Sequence, residues 1–283
     1  MGSQRDLNLL GTNTASDKVV PTLRTLLSHQ TRLPGKRLHF VKTLIALFLV
    51  GGVGSTAFAQ GGTSQAPEPD SKCSFHEFFH DTWAGGSQSI HGLKSIPRGA
   101  IRPTNLKWEL PILAATGILI AEVDLPADRR IQSASLEHSA DVGSNVGLGL
   151  EIGSGAISYG LGCGEHRPYL RDTGFKALFA MGTAGVEDLA LKLAFDRQYP
   201  GPGSTGKFWG GGRSFPSGHS ATSFAFAAVI AHRYPHKRWI KWSAYALATG
   251  VSLSRYPARK HYLSDILMGA TVGYVTGSYL AEH

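Results

Sequence analysis

Two short segments of this 283-residue chain hold the side chains best suited to chemistry. The first is Gly210–Ser220, GGGRSFPSGHS, directly before the apolar run ATSFAFAAVIA. Pro216 and Ser217 mark a helix start there, with Ser217 a good N-cap. The amides of Gly218 and His219 then point outward at a helix N-terminus, where the dipole and unpaired N–H groups favour an anion. Gly218 lets a ligand approach the backbone closely, and His219 in the first turn can exchange a proton with it. The second segment is Ser254–Asp265, SRYPARKHYLSD. Pro257 keeps Tyr256 out of helical geometry, so Arg255 lies in or near a loop and offers a planar fork to phosphate oxygens. His261 and Asp265 are spaced i,i+4, on one face near the start of the last apolar run. A carboxylate on one imidazole nitrogen fixes the tautomer and leaves the other nitrogen as a nucleophile. Taken singly, each segment also has an ordinary structural reading, as a Gly-rich joint before a helix and as a solvated basic loop.

Taken together, they resemble two signature motifs of the type 2 phosphatidic acid phosphatase superfamily, P-S-G-H and S-R-x5-H-x3-D. Pro216-Ser217-Gly218-His219 and Ser254-Arg255, His261 and Asp265 match at every defined position. The family's remaining motif, K-x6-R-P, is matched by Lys192 and Pro200, but its arginine is Tyr199. Arg197, two residues earlier, is the candidate to replace it. The resemblance implies an all-α six-helix bundle and a metal-independent phosphatase acting on a phosphomonoester or pyrophosphate, with a lipid phosphate the favoured class. It assigns His261 as nucleophile, Asp265 as the group that holds its imidazole, and His219 as acid and base. Lys192, Ser217, Gly218 and Arg255, with Arg197 as the conjectured addition, would bind the phosphate. No cofactor is expected, and no carboxylate cluster for Mg²⁺ stands out. Two alternatives carry different functions. A vanadium-dependent haloperoxidase shares this pocket, although known examples are much longer. A degenerate relative that binds phosphate without turning it over is motivated by Tyr199.

The elements that must position these residues are six apolar stretches: Trp108–Val123, Val142–Leu161, Gly174–Phe195, Ala221–Ala231, Trp239–Leu253 and Leu263–Ala281. Most exceed strand length and none alternates, which predicts helices. Embedding in a membrane and a periplasmic soluble form both stay open. Glu151, Lys176, Glu187, Asp188 and Lys192 interrupt the second and third stretches. A charge at mid-bilayer costs about 2.5–3.5 kcal/mol on insertion scales.

Upstream, Lys36, Arg37 and Lys42 precede an uncharged stretch, Thr43–Ala59, ending Ala57-Phe58-Ala59. This is the pattern of a cleaved export signal, with an uncleaved anchor as the other reading. Residues 1–59 are therefore expected to be a leader, 60–107 a linker and loop-rich segment, and 108–283 the phosphatase-like helical domain. Either leader reading exports the remainder, to the periplasm or to the cell membrane with the site on the periplasmic side. The net charge of +8 divides into +5 over residues 1–42 and +3 over residues 60–283. Most of the excess thus belongs to the leader, and nucleic-acid binding gets no support. Cys73 and Cys163, the only cysteines, would meet an oxidising compartment, where pairing and two buried thiols are both open. His76 and His80 share a helical spacing but have no third ligand nearby, so packing is the expected role.

Overall fold

A computed structural model describes residues 106–130 and 133–282. The signal-like core 43–59, the linker, Cys73 and the His76/His80 pair lie outside the described residues. Helix α1, Leu106–Ile118, runs through a π-helical turn, Leu119–Val123, into the short α2, Asp124–Asp128. Then follow α3 Ala134–Gly164, α4 Pro168–Phe195, α5 Gly218–Arg233, α6 Arg238–Ser254 and α7 Leu263–Glu282. With 106–128 taken as one rod, six rods make an all-α bundle without a strand among the described residues. α5 is central, packed on α4, α6 and α7, while α3 packs on α4 and α6.

Two helices start well before their apolar stretches. α3 begins at Ala134, where Ser133 caps it by accepting a hydrogen bond from the Leu136 amide at 3.3 Å. Its first two turns carry Glu137, His138 and Asp141, which a search for apolar runs passes over. α4 begins at Pro168, whose fixed φ and missing N–H suit the first helical position.

The carboxylates that interrupt the second and third apolar stretches each find one partner within the bundle, while Glu151 Oε1 and Asp188 Oδ1 are buried without one. Glu151 is fully buried and accepts a 2.6 Å hydrogen bond from Ser223 of α5. Glu187 accepts one of 2.5 Å from Thr276 of α7, and Asp188 pairs with Lys192 at 3.3 Å. Meanwhile Val142, Val146, Leu150, Ile157 and Leu161 of α3 are exposed, as are Val186, Leu189 and Leu193 of α4. Among the described residues one helix, Lys107–Asp128, is long and apolar enough to cross a membrane. Cys163 is disulfide-bonded.

A glycine seam sets the distance between α5 and α7. A Cβ on Gly269 would stand 2.3 Å from the Ser217 carbonyl oxygen. On Gly273 it would stand 1.9 Å from that of Ala221, and on Gly277 2.3 Å from that of Ala225. Glycines four apart on α7 therefore meet carbonyls four apart on α5, and the two backbones touch along two turns. Gly273→Ala should consequently cost about 1–3 kcal/mol, the usual penalty for overpacking. Gly182→Ala, at a helical glycine where a Cβ would meet nothing within 4 Å, should be neutral or slightly stabilising. Thermal melting of the two variants checks this, and equal melting temperatures would contradict the seam.

Candidate functional site

The site forms where the C-terminus of α4, the N-termini of α5 and α7 and the polar face of α3 converge. The seam does the first part of this positioning. It brings the Ser217 amide to the Asp265 carbonyl at 3.0 Å, so the P-S-G-H segment and the H-x3-D segment are bonded backbone to backbone. The loop from 196 to 217 folds back on itself through Trp209 N to Phe195 O (2.8 Å) and Ser214 N to Arg197 O (3.0 Å). That return delivers Ser214 to His261.

His261 precedes α7 and is almost entirely buried. Its Nδ1 lies 2.6 Å from the Ser214 carbonyl oxygen, which can only accept, so Nδ1 carries the proton and Nε2 is free of it. Asp265 stands further from the ring, with Oδ2 at 3.7 Å from Nδ1. This refines the expectation that the i,i+4 carboxylate bonds the imidazole directly: a loop carbonyl takes the hydrogen bond, and Asp265 supplies field behind it. Burial pushes the His261 pKa down and Asp265 pulls it back up.

Asp265 is itself held on all sides. Oδ2 accepts from the Ser214 hydroxyl and from the Tyr262 amide (2.9 Å), and Oδ1 accepts from Arg197 at 2.5 Å. Arg197 is only 1% exposed. Its other donors go to Ser264 Oγ at 2.7 Å, Asp124 Oδ2 at 2.8 Å and the Gly206 carbonyl at 3.2 Å. Tyr262 and Phe208 cover its faces, 4.2 and 4.9 Å from ring centroid to guanidinium carbon. The expectation that Arg197 binds phosphate is corrected here. Four of its five N–H bonds are engaged by Gly206, Ser264, Asp265 and Asp124, which sets the guanidinium behind Asp265.

The other expected residues do converge. Lys192 at the end of α4 donates to the Pro216 carbonyl and pairs with Asp188, which lies directly under Gly218. Arg255 follows α6 and gives one nitrogen to Asp141 and Ser144 of α3, both at 2.7 Å. His219, in the first turn of α5, has Nε2 at 2.9 Å from the Asn145 side-chain oxygen. Burial pushes the His219 pKa down to about 4, with Arg255, His261 and Lys192 lowering it further and Asp141 pulling it up.

Two donors at this convergence are buried without a partner: Ser217 Oγ and Arg255 Nε. Ser217 occupies the N-cap position of α5, but its hydroxyl makes no capping bond, contrary to expectation. Unpaired buried polar groups are rare and costly, and here both are of the kind that phosphate oxygens accept from. Tyr199, in place of the motif arginine, is about half exposed with its ring centroid 6.4 Å from that of His261. Among the described residues no group of three or more His, Cys, Asp or Glu is arranged to hold a metal ion.

Sequence reasoning missed Asp141, Ser144 and Asn145. Their spacing of three and four residues puts them on one face of α3, and that polar trio before a Gly-rich apolar run was the available signal. Asp124 was missed as well, since nothing local in α2 announces a partner 73 residues away.

Residues 154–281 match the model of the PAP2 superfamily. Lipid A 1-phosphatase of Porphyromonas gingivalis is 38% identical over 65 residues, a match covering 23% of this chain and 15% of that protein's length. The crystal structure of a transmembrane PAP2-type phosphatidylglycerolphosphate phosphatase from Bacillus subtilis is similar at a TM-score of 0.45 and 23% identity. That likeness covers 61% of this chain and 93% of the other.

The burial of Arg197 between two carboxylates has a direct consequence. Arg197→Ala leaves Asp124 and Asp265 buried without their cation, a change that typically costs about 3–5 kcal/mol. Denaturant unfolding should show that loss. Wild-type stability in Arg197→Ala would mean that the clamp is not formed.

Proposed function

We propose that this protein is a phosphatase that hydrolyses a phosphomonoester or pyrophosphate through a phosphohistidine, with a lipid phosphate as the favoured substrate. The observation that carries the reading is the imidazole of His261. One nitrogen is pinned by a loop carbonyl and the other is unprotonated, beside two buried donors that lack partners. In the first step His261 Nε2 bonds to phosphorus as the ester P–O bond breaks, and His219 gives its proton to the departing oxygen. In the second, His219 takes a proton from water, the water oxygen bonds to phosphorus, and the N–P electron pair returns to His261. Lys192, Ser217 Oγ, Arg255 and the amides at the start of α5 stabilise the equatorial oxygens as charge builds. Asp265 favours the imidazolium character that develops on His261.

Membrane association is supported by the reversed polarity of α3 and α4, with carboxylates inside and Val, Leu and Ile outside. Exposed patches of this extent mark interaction surfaces. Trp239 and Trp242, both well exposed, stand among Lys237, Arg238 and Lys241, the mixture found at membrane–water interfaces. The Porphyromonas gingivalis relative is a lipid A 1-phosphatase, which favours a lipid substrate. The disulfide at Cys163 fits an oxidising compartment, in line with export and a periplasmic face for the site.

The mechanism expects His261→Ala to abolish vanadate-sensitive phosphate release, and His219→Ala or Asp265→Ala to lose 10²–10⁴-fold, roughly the worth of a positioned acid or base. Activity should persist in EDTA. Near-wild-type release from well-folded His261→Ala protein, or strict dependence on Mg²⁺ or Zn²⁺, would sink the mechanism. A second check concerns the nucleophile's ionisation. Because burial lowers its pKa, His261 should be neutral at pH values below those of an ordinary histidine, and an imidazole NMR titration should give a midpoint under 6.5. A midpoint above that value would mean that Asp265 outweighs burial.

A further inference from the structure

The cations of the pocket are already matched. Lys192 faces Asp188 at 3.3 Å, and Arg255 and Lys260 both face Asp141, at 2.7 and 3.7 Å. Arg197 faces Asp124 and Asp265. Counted at their ordinary charges, four bases thus stand against four carboxylates, and the pocket wall is neutral. A phosphate dianion seated there gains hydrogen bonds but no net counter-charge. In the motif this deficit falls to the arginine that is Tyr199 here, and Tyr199 is neutral at ordinary pH.

One further cation stands beside this wall. Arg213 is exposed, and no hydrogen bond or ion pair joins its side chain to another described residue. Its backbone, in contrast, is fixed at the centre of the site. It directly precedes Ser214, whose amide donates to the Arg197 carbonyl, whose carbonyl accepts from His261 Nδ1 and whose hydroxyl donates to Asp265. The side chain's charge reaches the rim as well. Burial raises the pKa of the Tyr199 phenol, and Arg213 is the strongest of the charges that act on it. Asp188, Asp265 and Arg255 act on the same phenol, so the charge of Arg213 is felt at the same ring as theirs.

Resting on the phosphatase reading above, we infer that Arg213 supplies the second guanidinium contact to the substrate phosphate, closing over Tyr199 from the loop before P-S-G-H in place of the missing motif arginine. The contact is geometrically undemanding, because the free guanidinium offers five donors on a long stem. It also differs from Arg197 in kind. Arg197 acts on the substrate only through Asp265, whereas Arg213 touches the transferring group.

The test uses the full-length protein, with orthovanadate binding and steady-state release from a simple phosphomonoester as readouts. Arg213→Ala should weaken vanadate binding and lower kcat/KM by roughly ten-fold or more, without changing the melting temperature, since the side chain is exposed. Arg213→Lys should recover part of the loss. The decisive variant restores the motif: Tyr199→Arg in the Arg213→Ala background should regain vanadate affinity towards the wild-type value. If Arg213→Ala binds vanadate and turns over like wild type while His261→Ala is inactive, the inference fails and the phosphatase reading stands. If Arg213→Ala is weakened but Tyr199→Arg recovers nothing, Arg213 does not fill the motif's place and the inference fails in that form. If wild-type protein neither binds vanadate nor releases phosphate, both readings fall together.

Discussion

The structure depends first on the contact between α5 and α7, where backbone meets backbone with no side chain between. Gly269, Gly273 and Gly277 make that approach possible, and the carbonyls of Ser217, Ala221 and Ala225 are what they approach. The Ser214 contacts to His261 and Asp265 add a second tie between the P-S-G-H segment and the buried histidine. The spacing is fixed by atoms that cannot rotate away, so the Ser217–Asp265 backbone bond follows almost as a geometric consequence. A larger residue anywhere along the seam would pry the two motif segments apart before it disturbed any side chain of the site. Small residues on α5 serve the same end, since Ala221, Ala225 and Ala228 are fully buried.

The second organising feature is electrostatic. The basic residues near the pocket are held against acids, which keeps them buried and pointed without solvent. This arrangement has a cost for ligand binding, because an incoming anion competes with carboxylates already in place. The partnerless atoms show where the competition is relaxed. Arg255 spends one nitrogen on Asp141 and Ser144 while its Nε lacks a partner, and Ser217 gives up the cap its position would normally make. The site thus keeps its donors oriented by fixed neighbours and leaves a subset of them unsaturated, as preorganised electrostatic stabilisation requires.

Much of this was legible in the sequence, and the reasons differ by residue. The two intact motifs are local: His219, His261 and Asp265 each lie within one turn of a helix start, while Arg255 closes the end of α6. The helices were legible because their apolar runs are long, although α3 and α4 begin earlier than those runs. What spacing could not convey is partnership across the fold. Arg197 looked like a substitute for Tyr199 by proximity along the chain. In the structure, however, the αL residue Asp196 (φ 43°) lies between α4 and Arg197, and the guanidinium is buried between Asp124 and Asp265. The capping role expected of Ser217 failed for a related reason. Backbone geometry at an N-cap does not decide what the hydroxyl does, and here its oxygen is buried away from the amides it would normally accept from.

The charges in the apolar stretches make the same point with the opposite sign. Read along the chain, Glu151, Glu187 and Asp188 weigh against a membrane setting, since each would be expensive in hydrocarbon. Read in the fold, Glu151 bonds Ser223, Glu187 bonds Thr276 and Asp188 bonds Lys192, all toward α5, α7 or the pocket. Hydropathy averaged along a helix mixes its two faces, and α3 shows how misleading that can be. One face carries Asp141, Ser144 and Glu151 toward the site and the core, while Val142, Val146, Leu150 and Ile157 look outward. The polar face is what the chemistry requires and the apolar face is what is left to meet the surroundings. A single helix therefore has two separate duties: it lends Asp141 and Ser144 to Arg255 on one side, and on the other it presents an apolar face to the surroundings.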